Sequence, residues 1–200
     1  MSNANITKGC IALAMKQLME QVPFNLITTA DIMDKCGISR KTFYYHFRDK
    51  YEVVNWIFST EIVDGILEST TYENWMNGSF KLCRYILENK TFYKNAVGAS
   101  GQNCFIQFLH TLTEMQVKKL CRDELEKGIL TEDDFTFLVE FYYHAFLGVF
   151  VKWVRDDMKE SPELIVNRWI GVVDKSLEHY IQFINEKYPE KNKTEAKRGI

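Results

Sequence analysis

The sequence predicts an all-α protein: an N-terminal three-helix head, joined by a long helix to a C-terminal helical bundle that dimerises. Three observations carry this reading. Apolar residues return at three- and four-residue steps along most of the chain, and no segment alternates as a strand requires. Side chains that cap helices stand ahead of several stripes, at Thr28, Ser39, Asp49, Thr131 and Ser161. Between two short stripes lies Gly37-Ile38-Ser39, a turn tight enough to hold two helices at a fixed angle.

The first helix is predicted from about Thr7 to Gln21, with Ile11, Met15, Leu18 and Met19 as its core stripe. Pro23 ends it, and Phe24 and Leu26 are expected to pack the link. Thr28 opens the second helix, with Asp31 placed to complete a capping box. Ile32 and Cys36 stack one turn apart before Gly37 stops it. Ser39 caps the third helix, Ile38 plugs the turn, and Phe43 and Phe47 share the inward face. Asp49 with Glu52 starts a fourth helix, Lys50 to about Ser69, expected to act as a rigid connector. Five more helices follow, near 72–89, 91–98, 101–127, 132–158 and 162–187. Gly128 ends the third of these, and Ser161-Pro162 starts the last. The expected domains are therefore 1–50, a connector at 51–69, a regulatory and dimerisation body at 70–188, and a flexible polar tail at 189–200.

With Phe43 and Phe47 turned inward, Arg40, Lys41, Thr42, Tyr44, Tyr45 and His46 are left on the outer faces of the third helix. That set is rich in hydrogen-bond donors and aromatic edges. Its charge setting fits: residues 1–50 hold seven Lys or Arg against four acids, a surplus of three, and since the whole chain carries −2 the remainder carries −5. A basic head on an acidic body concentrates the attraction for phosphate at the turn.

The pattern T-x-x-x-I-x-x-x-x-G-I-S-x-x-T-F-Y-Y-H-F-x-x-K, from Thr28 to Lys50, resembles the TetR family of transcriptional regulators. Within it, Asp49-Lys50 before an apolar helix and the aromatic-rich C-terminal half are similar to activators of dihydroxyacetone kinase operons. The resemblance implies a dimer that binds a palindromic double-stranded DNA operator and is controlled through its C-terminal domain by a small molecule or a co-regulator protein. It implies repression by the wider family and activation by the narrower one. Thr28, Ser39, Thr42, His46 and Lys50 match positions that mostly hold the DNA backbone. Arg40 and Lys41 can reach guanine edges or phosphate, and Tyr44 and Tyr45 a phosphate or a thymine methyl. Lys41 departs from the small residue common in relatives.

In TetR-like proteins the last two long helices pair with their symmetry mates. Here they are apolar over more of their circumference than one partner covers, and Phe146, Phe150, Trp153, Trp169, Ile170, Val173 and Leu177 are the expected dimer seam. Gly148 and Gly171 would allow close approach. An effector pocket, as the family implies, is expected around Phe105, Phe108, His110, Tyr142, His144 and Phe146, although aromatic stripes at helical spacing serve equally as plain core.

Other classes are weaker. The five cysteines include no C-x-x-C pair, and His110, His144 and His179 lie on separate predicted helices without partners at ligand spacing, so neither metal nor cofactor is called for. Buried thiols are the default for the cysteines. No phosphate loop, H-E-x-x-H or G-x-S-x-G is present, which argues against an enzyme. A helical protein-protein adaptor is the alternative, but it leaves Arg40, Lys41 and Arg48 without a purpose. With 46% hydrophobic and 26% charged residues, no evident signal peptide and no expected membrane span, the composition points to a cytoplasmic globular protein.

Overall fold

A computed structural model describes residues 3–63, 72–101, 104–126 and 130–187. Nine α-helices are present among them and no strand: α1 Asn3–Met19, α2 Thr29–Cys36, α3 Arg40–His46, α4 Lys50–Phe58, α5 Tyr72–Glu88, α6 Lys90–Gly98, α7 Phe105–Glu126, α8 Glu132–Arg155 and α9 Pro162–Lys187. The expected tail at 189–200, the connector beyond residue 63 and the stop at Gly128 lie outside the described residues.

The head is built by local capping. Thr28 Oγ1 accepts the Asp31 N–H at 3.2 Å, and the Asp31 carboxylate accepts the Thr28 N–H at 2.7 Å. Gly37 closes α2 at φ +66°, a left-handed conformation that costs a residue with Cβ. Ser39 Oγ accepts the Thr42 N–H at 3.1 Å, and the Asp49 carboxylate accepts that of Glu52 at 2.8 Å. Over these ends close Ile11, Met15, Ile32, Phe43 and Ile57, all shut off from solvent. The link after α1 is a single 3-10 turn, Phe24–Leu26, and it differs from expectation. Leu26 is 69% exposed, while Ile27 is buried in its place because the turn rotates the chain by one position.

The connector also differs. Its α-helical hydrogen bonding ends at Phe58, and Ser59–Val63 form a π-helical turn. A π turn widens the helix and redirects the side chains after it, so the connector is a jointed element rather than a uniform rod.

One apolar cluster runs without a break from the head into the near part of the body, taking in Ile11, Phe43, Phe58, Tyr93, Phe105, Trp153 and Val166. A second fills the far end of the body, where Val117, Cys121, Phe135, Leu138, Tyr142 and Ile184 meet. α8 contributes to both. It is long and apolar enough by length and composition to cross a membrane, contrary to the sequence expectation, yet its buried apolar residues divide between the two clusters. α8 ends at Arg155 rather than 158, in a turn where Asp157 and Met158 both take positive φ, +70° and +50°. Of the cysteines only Cys83 and Cys121 are buried, with Cys10 exposed, so burial is not general.

Candidate nucleic-acid interface and its joint to the body

On α3 the outward side chains form one continuous surface. The Arg40 guanidinium lies over the Tyr44 ring, 5.2 Å from its centroid, and the Tyr44 hydroxyl is 3.4 Å from Thr29 Oγ1. Tyr45 is 81% exposed, and its ring meets that of His46 edge-on at 5.0 Å. Lys41 is exposed beside them. This face is rigidly backed, because Phe43 and Phe47 pack at 6.3 Å and Phe47 meets Trp56 of α4 at 5.9 Å. Thr28, Ser39 and Thr42 sit at the helix starts, where their hydroxyls already serve the caps; Ser39 Oγ and Thr42 Oγ1 are 2.9 Å apart. Thr29, which helps hold Tyr44, was missed in the sequence because its neighbour Thr28 carries the capping signal.

Lys50 departs from expectation. Its ammonium turns inward and donates to the carbonyls of Ile27 at 2.6 Å, Phe24 at 2.8 Å and Asn25 at 3.4 Å, while lying 4.5 Å from the centre of the Phe24 ring. Burial holds it below the usual lysine range. The side chain closes the 3-10 turn and is spent there.

Head and body meet through polar contacts that nothing in the local sequence marks. Lys16 of α1 pairs with both oxygens of Glu61 in the π turn, at 2.6 and 2.7 Å, and the Tyr85 hydroxyl of α5 donates to the same carboxylate. Burial, then Glu61, raises the Tyr85 phenol well above its usual range, so it stays protonated. Asn95 of α6 accepts the Phe24 N–H at 2.6 Å and donates to the Met19 and Val22 carbonyls at 2.9 and 2.8 Å. A third link runs from the Tyr51 hydroxyl to the Ser100 carbonyl at 2.9 Å.

The body holds an apolar cavity of about 90 Å³ between the end of α4 and helices α5, α7, α8 and α9, with Phe58, Trp75, Leu112, Phe146, Phe150 and Trp169 in its wall. Of the six residues expected around an effector, only Phe146 lines it. Phe105 is packed between Phe58 and Tyr93, and Phe108 stands edge-on to Phe58 outside the wall. Tyr142 pairs with Ser176 at 2.8 Å in the far cluster. His110 and His144 face each other 5.6 Å apart, with the Tyr143 hydroxyl 2.8 Å from His144 Nε2, away from the cavity. On α7 the cavity side is Leu109, Leu112, Thr113 and Gln116, and His110 lies a further 100° or so around the helix.

The expected dimer seam also turns inward. Phe150 and Trp153 are 6% and 5% exposed, and the Trp153 indole donates to the Glu160 carbonyl at 2.9 Å. Phe146 and Trp169 wall the cavity, while Ile170, Val173 and Leu177 pack against the two clusters. The outward apolar face of the same helices is a different set: Phe137, Phe141 and Val149 on α8, and Leu164, Val172 and Phe183 on α9, from 42% to 62% exposed. Phe137 stacks on Phe141 and on Tyr180 at 6.3 and 6.0 Å, and Gly148 and Gly171 lie bare on this side.

Comparison with known proteins agrees with this architecture. Residues 11–56 match a family described as bacterial regulatory proteins, tetR family, and residues 73–175 match one described as transcriptional regulator C-terminal region. A curated relative from Lactococcus lactis subsp. lactis, the HTH-type dhaKLM operon transcriptional activator DhaS, is 36% identical over 94 residues, 47% of this chain. The match spans half the length of that relative. The solved structure of a dihydroxyacetone kinase operon activator, DhaS, superposes with a TM-score of 0.65 at 25% identity, covering 90% of this chain and 98% of that one. NalD of Pseudomonas aeruginosa, a secondary repressor of a multidrug efflux pump, shares the fold with a TM-score of 0.55 at 16% identity over 85% of this chain and 94% of its own.

Proposed function

Because the chain belongs to the TetR family of bacterial transcriptional regulators, and so is a DNA-binding regulator rather than an enzyme, we propose that it binds a palindromic operator in the cytoplasm as a two-fold dimer and activates dihydroxyacetone kinase genes. The observation that carries the DNA reading is the α3 surface, where Arg40, Tyr44 and Tyr45 are presented outward from a helix capped at its start and packed on Phe43 and Phe47. In this reading α3 enters the major groove. Arg40, Lys41, Tyr44 and Tyr45 meet base edges and nearby phosphates, and Thr28, Ser39, Thr42 and His46 fix the register on the backbone. Lys50 serves indirectly, by holding the turn on which α2 rests. The activating role rests on the likeness to DhaS in sequence and in fold.

The outward face of α8 and α9 supports the dimer, with Phe137, Phe141, Val172 and Phe183 in the seam in place of Phe150 and Trp153. A pair of recognition helices is needed because one short helix makes too few contacts for useful specificity. Control then acts through the body: an effector or a co-regulator protein that prefers one arrangement of the two heads shifts operator affinity by its differential binding, commonly by about 1–3 kcal/mol.

Selection of bound duplexes from a random DNA pool tests the reading. A palindrome enriched by the purified protein, with affinity falling steeply as salt rises, is the expected result. Absence of enrichment with and without cell extract would return the head to the adaptor class.

A further inference from the structure

We propose that His110 and His144, together with Glu114, form a binding site for a divalent transition-metal ion of the zinc and cobalt kind between α7 and α8. The inference goes beyond the regulator reading and does not depend on it.

The sequence sets the two histidines on separate helices, and the pairing of α7 with α8 brings them together. Their ring centres are 5.6 Å apart. Two imidazoles bound to one tetrahedral ion, each through a nitrogen about 2.0–2.1 Å from it, hold their centres about 5 Å apart, so the pair already stands near the separation that an ion requires. His110 is half-buried, and His144 is exposed in an open groove lined by Ile106, Leu147 and Gly148, which gives an ion a way in.

Carboxylates stand on both sides. Glu114 follows His110 by one helical turn and Glu140 precedes His144 by one, so each histidine has an acid on its own helix face. Burial first, and then Glu114 and Glu140, raise the Tyr143 phenol above its usual range, which sets both acids near that side chain. Lys118, and to a lesser extent His110, hold the Glu114 carboxyl below its usual range. The Tyr143 hydroxyl is 2.8 Å from His144 Nε2. With Nε2–H donating to that oxygen, Nδ1 keeps the lone pair that an ion needs, and the phenol becomes the outer partner that orients the ring.

Among the described residues no three ligand groups converge as the side chains stand, and Glu114 is held by Lys118 at 2.7 Å. That pair is half-exposed and joins neighbouring turns of one helix, so it contributes little and yields its carboxylate readily. Two imidazoles and one carboxylate suit a transition metal of borderline softness, with water in the remaining position, whereas magnesium and calcium demand oxygen ligands.

The test uses the full-length protein, treated with chelator and labelled with ¹⁵N-histidine, whose four side chains are His46, His110, His144 and His179. His110→Gln and His144→Gln assign their ring signals. One equivalent of Zn²⁺ is expected to shift the ring nitrogens of His110 and His144 together and to leave the other two in place, while Mg²⁺ shifts none. Calorimetry should show one binding step that either histidine substitution removes. Tyr143→Phe, which takes away only the outer partner, should weaken that step by about tenfold to a hundredfold. Lys118→Met frees Glu114 and should tighten it by about twofold, a gain that damage to the fold would not produce, so it keeps the test sharp if a histidine variant does not fold. The proposal is overturned if Zn²⁺ moves neither ring or only one of them, if His144→Gln binds like the parent protein, if Lys118→Met weakens the step, or if Mg²⁺ gives the same shifts.

Discussion

The head and the body solve the same packing problem with different completeness. In the head, side chains cap α2, α3 and α4, the core residues are shut off from water, and an inward lysine satisfies the one irregular turn. The body keeps a cavity and an exposed apolar face on its last two helices. The difference suits the roles proposed for the two parts. A reader of DNA must hold its recognition side chains in one geometry, because misplaced contacts lose their discrimination. A sensor must have groups left over for something else to satisfy.

The largest effect expected from this contrast is in stability. Phe43→Ala opens a hole in a core with no slack and should cost about 3–5 kcal/mol. Phe146→Ala enlarges a cavity that already exists, removes a side chain that is only partly buried and should cost clearly less. Urea unfolding of both variants measures the difference, and equal losses would show that the body is as tightly specified as the head. The next effect separates reading from holding. Arg40→Ala or Tyr44→Ala should weaken specific operator binding by about 1–3 kcal/mol while leaving the unfolding midpoint in place. Lys50→Met should do the reverse, lowering stability by about 1.5–3 kcal/mol because three carbonyls lose a charged donor. Midpoints and operator affinities measured on the same preparations decide it. A Lys50 variant that folds normally but binds DNA poorly would restore that residue to the DNA contacts.

The same contrast explains what was legible in the sequence. Thr28, Gly37, Ser39 and Asp49 were readable because a cap is made by residues within four positions of one another, and the head is defined mainly by such devices. The body's helices were readable too, from their stripes. Which residues share a cavity was not, because Leu109 and His110 differ only by rotation about α7, and that rotation is set by distant partners. The attraction of rings and imidazoles as ligand groups leads to Phe105, His110, Tyr142 and His144, whereas the cavity is lined by other rings, Phe58, Trp75 and Phe150 among them, and by the leucines Leu109, Leu112 and Leu147. The dimer face failed in a similar way. Large apolar residues are expected outward, but one of the two tryptophans among them, Trp153, fills the monomer core. The π turn at Ser59–Val63 has no compositional mark, and the partners of its Glu61, Lys16 and Tyr85, come from elsewhere in the chain.

That joint supplies the third prediction. Phe58 belongs to the cavity wall and directly precedes the π turn, so the carboxylate that holds α1 sits three residues from the cavity wall. The Lys16–Glu61 pair is only partly buried, with side chains 25% and 33% exposed, and should contribute about 1 kcal/mol or less to stability. Its expected importance is in coupling. Glu61→Gln and Lys16→Met should each alter operator affinity without touching the α3 surface, and the double variant should show less than the sum, because both remove one contact. Additive effects would make the joint a bystander.

The smallest expected effect lies furthest from the DNA face. Asp157, at φ +70° after α8, accepts from Lys90 at 2.8 Å and Lys94 at 2.5 Å, tying that turn to α6. The two lysines hold its carboxyl down from the ordinary 3.8 to about 2. A carboxyl depressed in the folded state contributes stability that is whole above pH 3.8 and is lost as pH falls toward about 2. Asp157→Asn keeps a residue that tolerates the left-handed backbone and removes the charge. Thermal midpoints of the parent protein and the variant should therefore differ modestly near neutral pH and converge as the pH drops through that window. A difference that persists unchanged at pH 2 would mean that the turn is held by its backbone and by the buried Met158 beside it, with the lysines adding only surface charge.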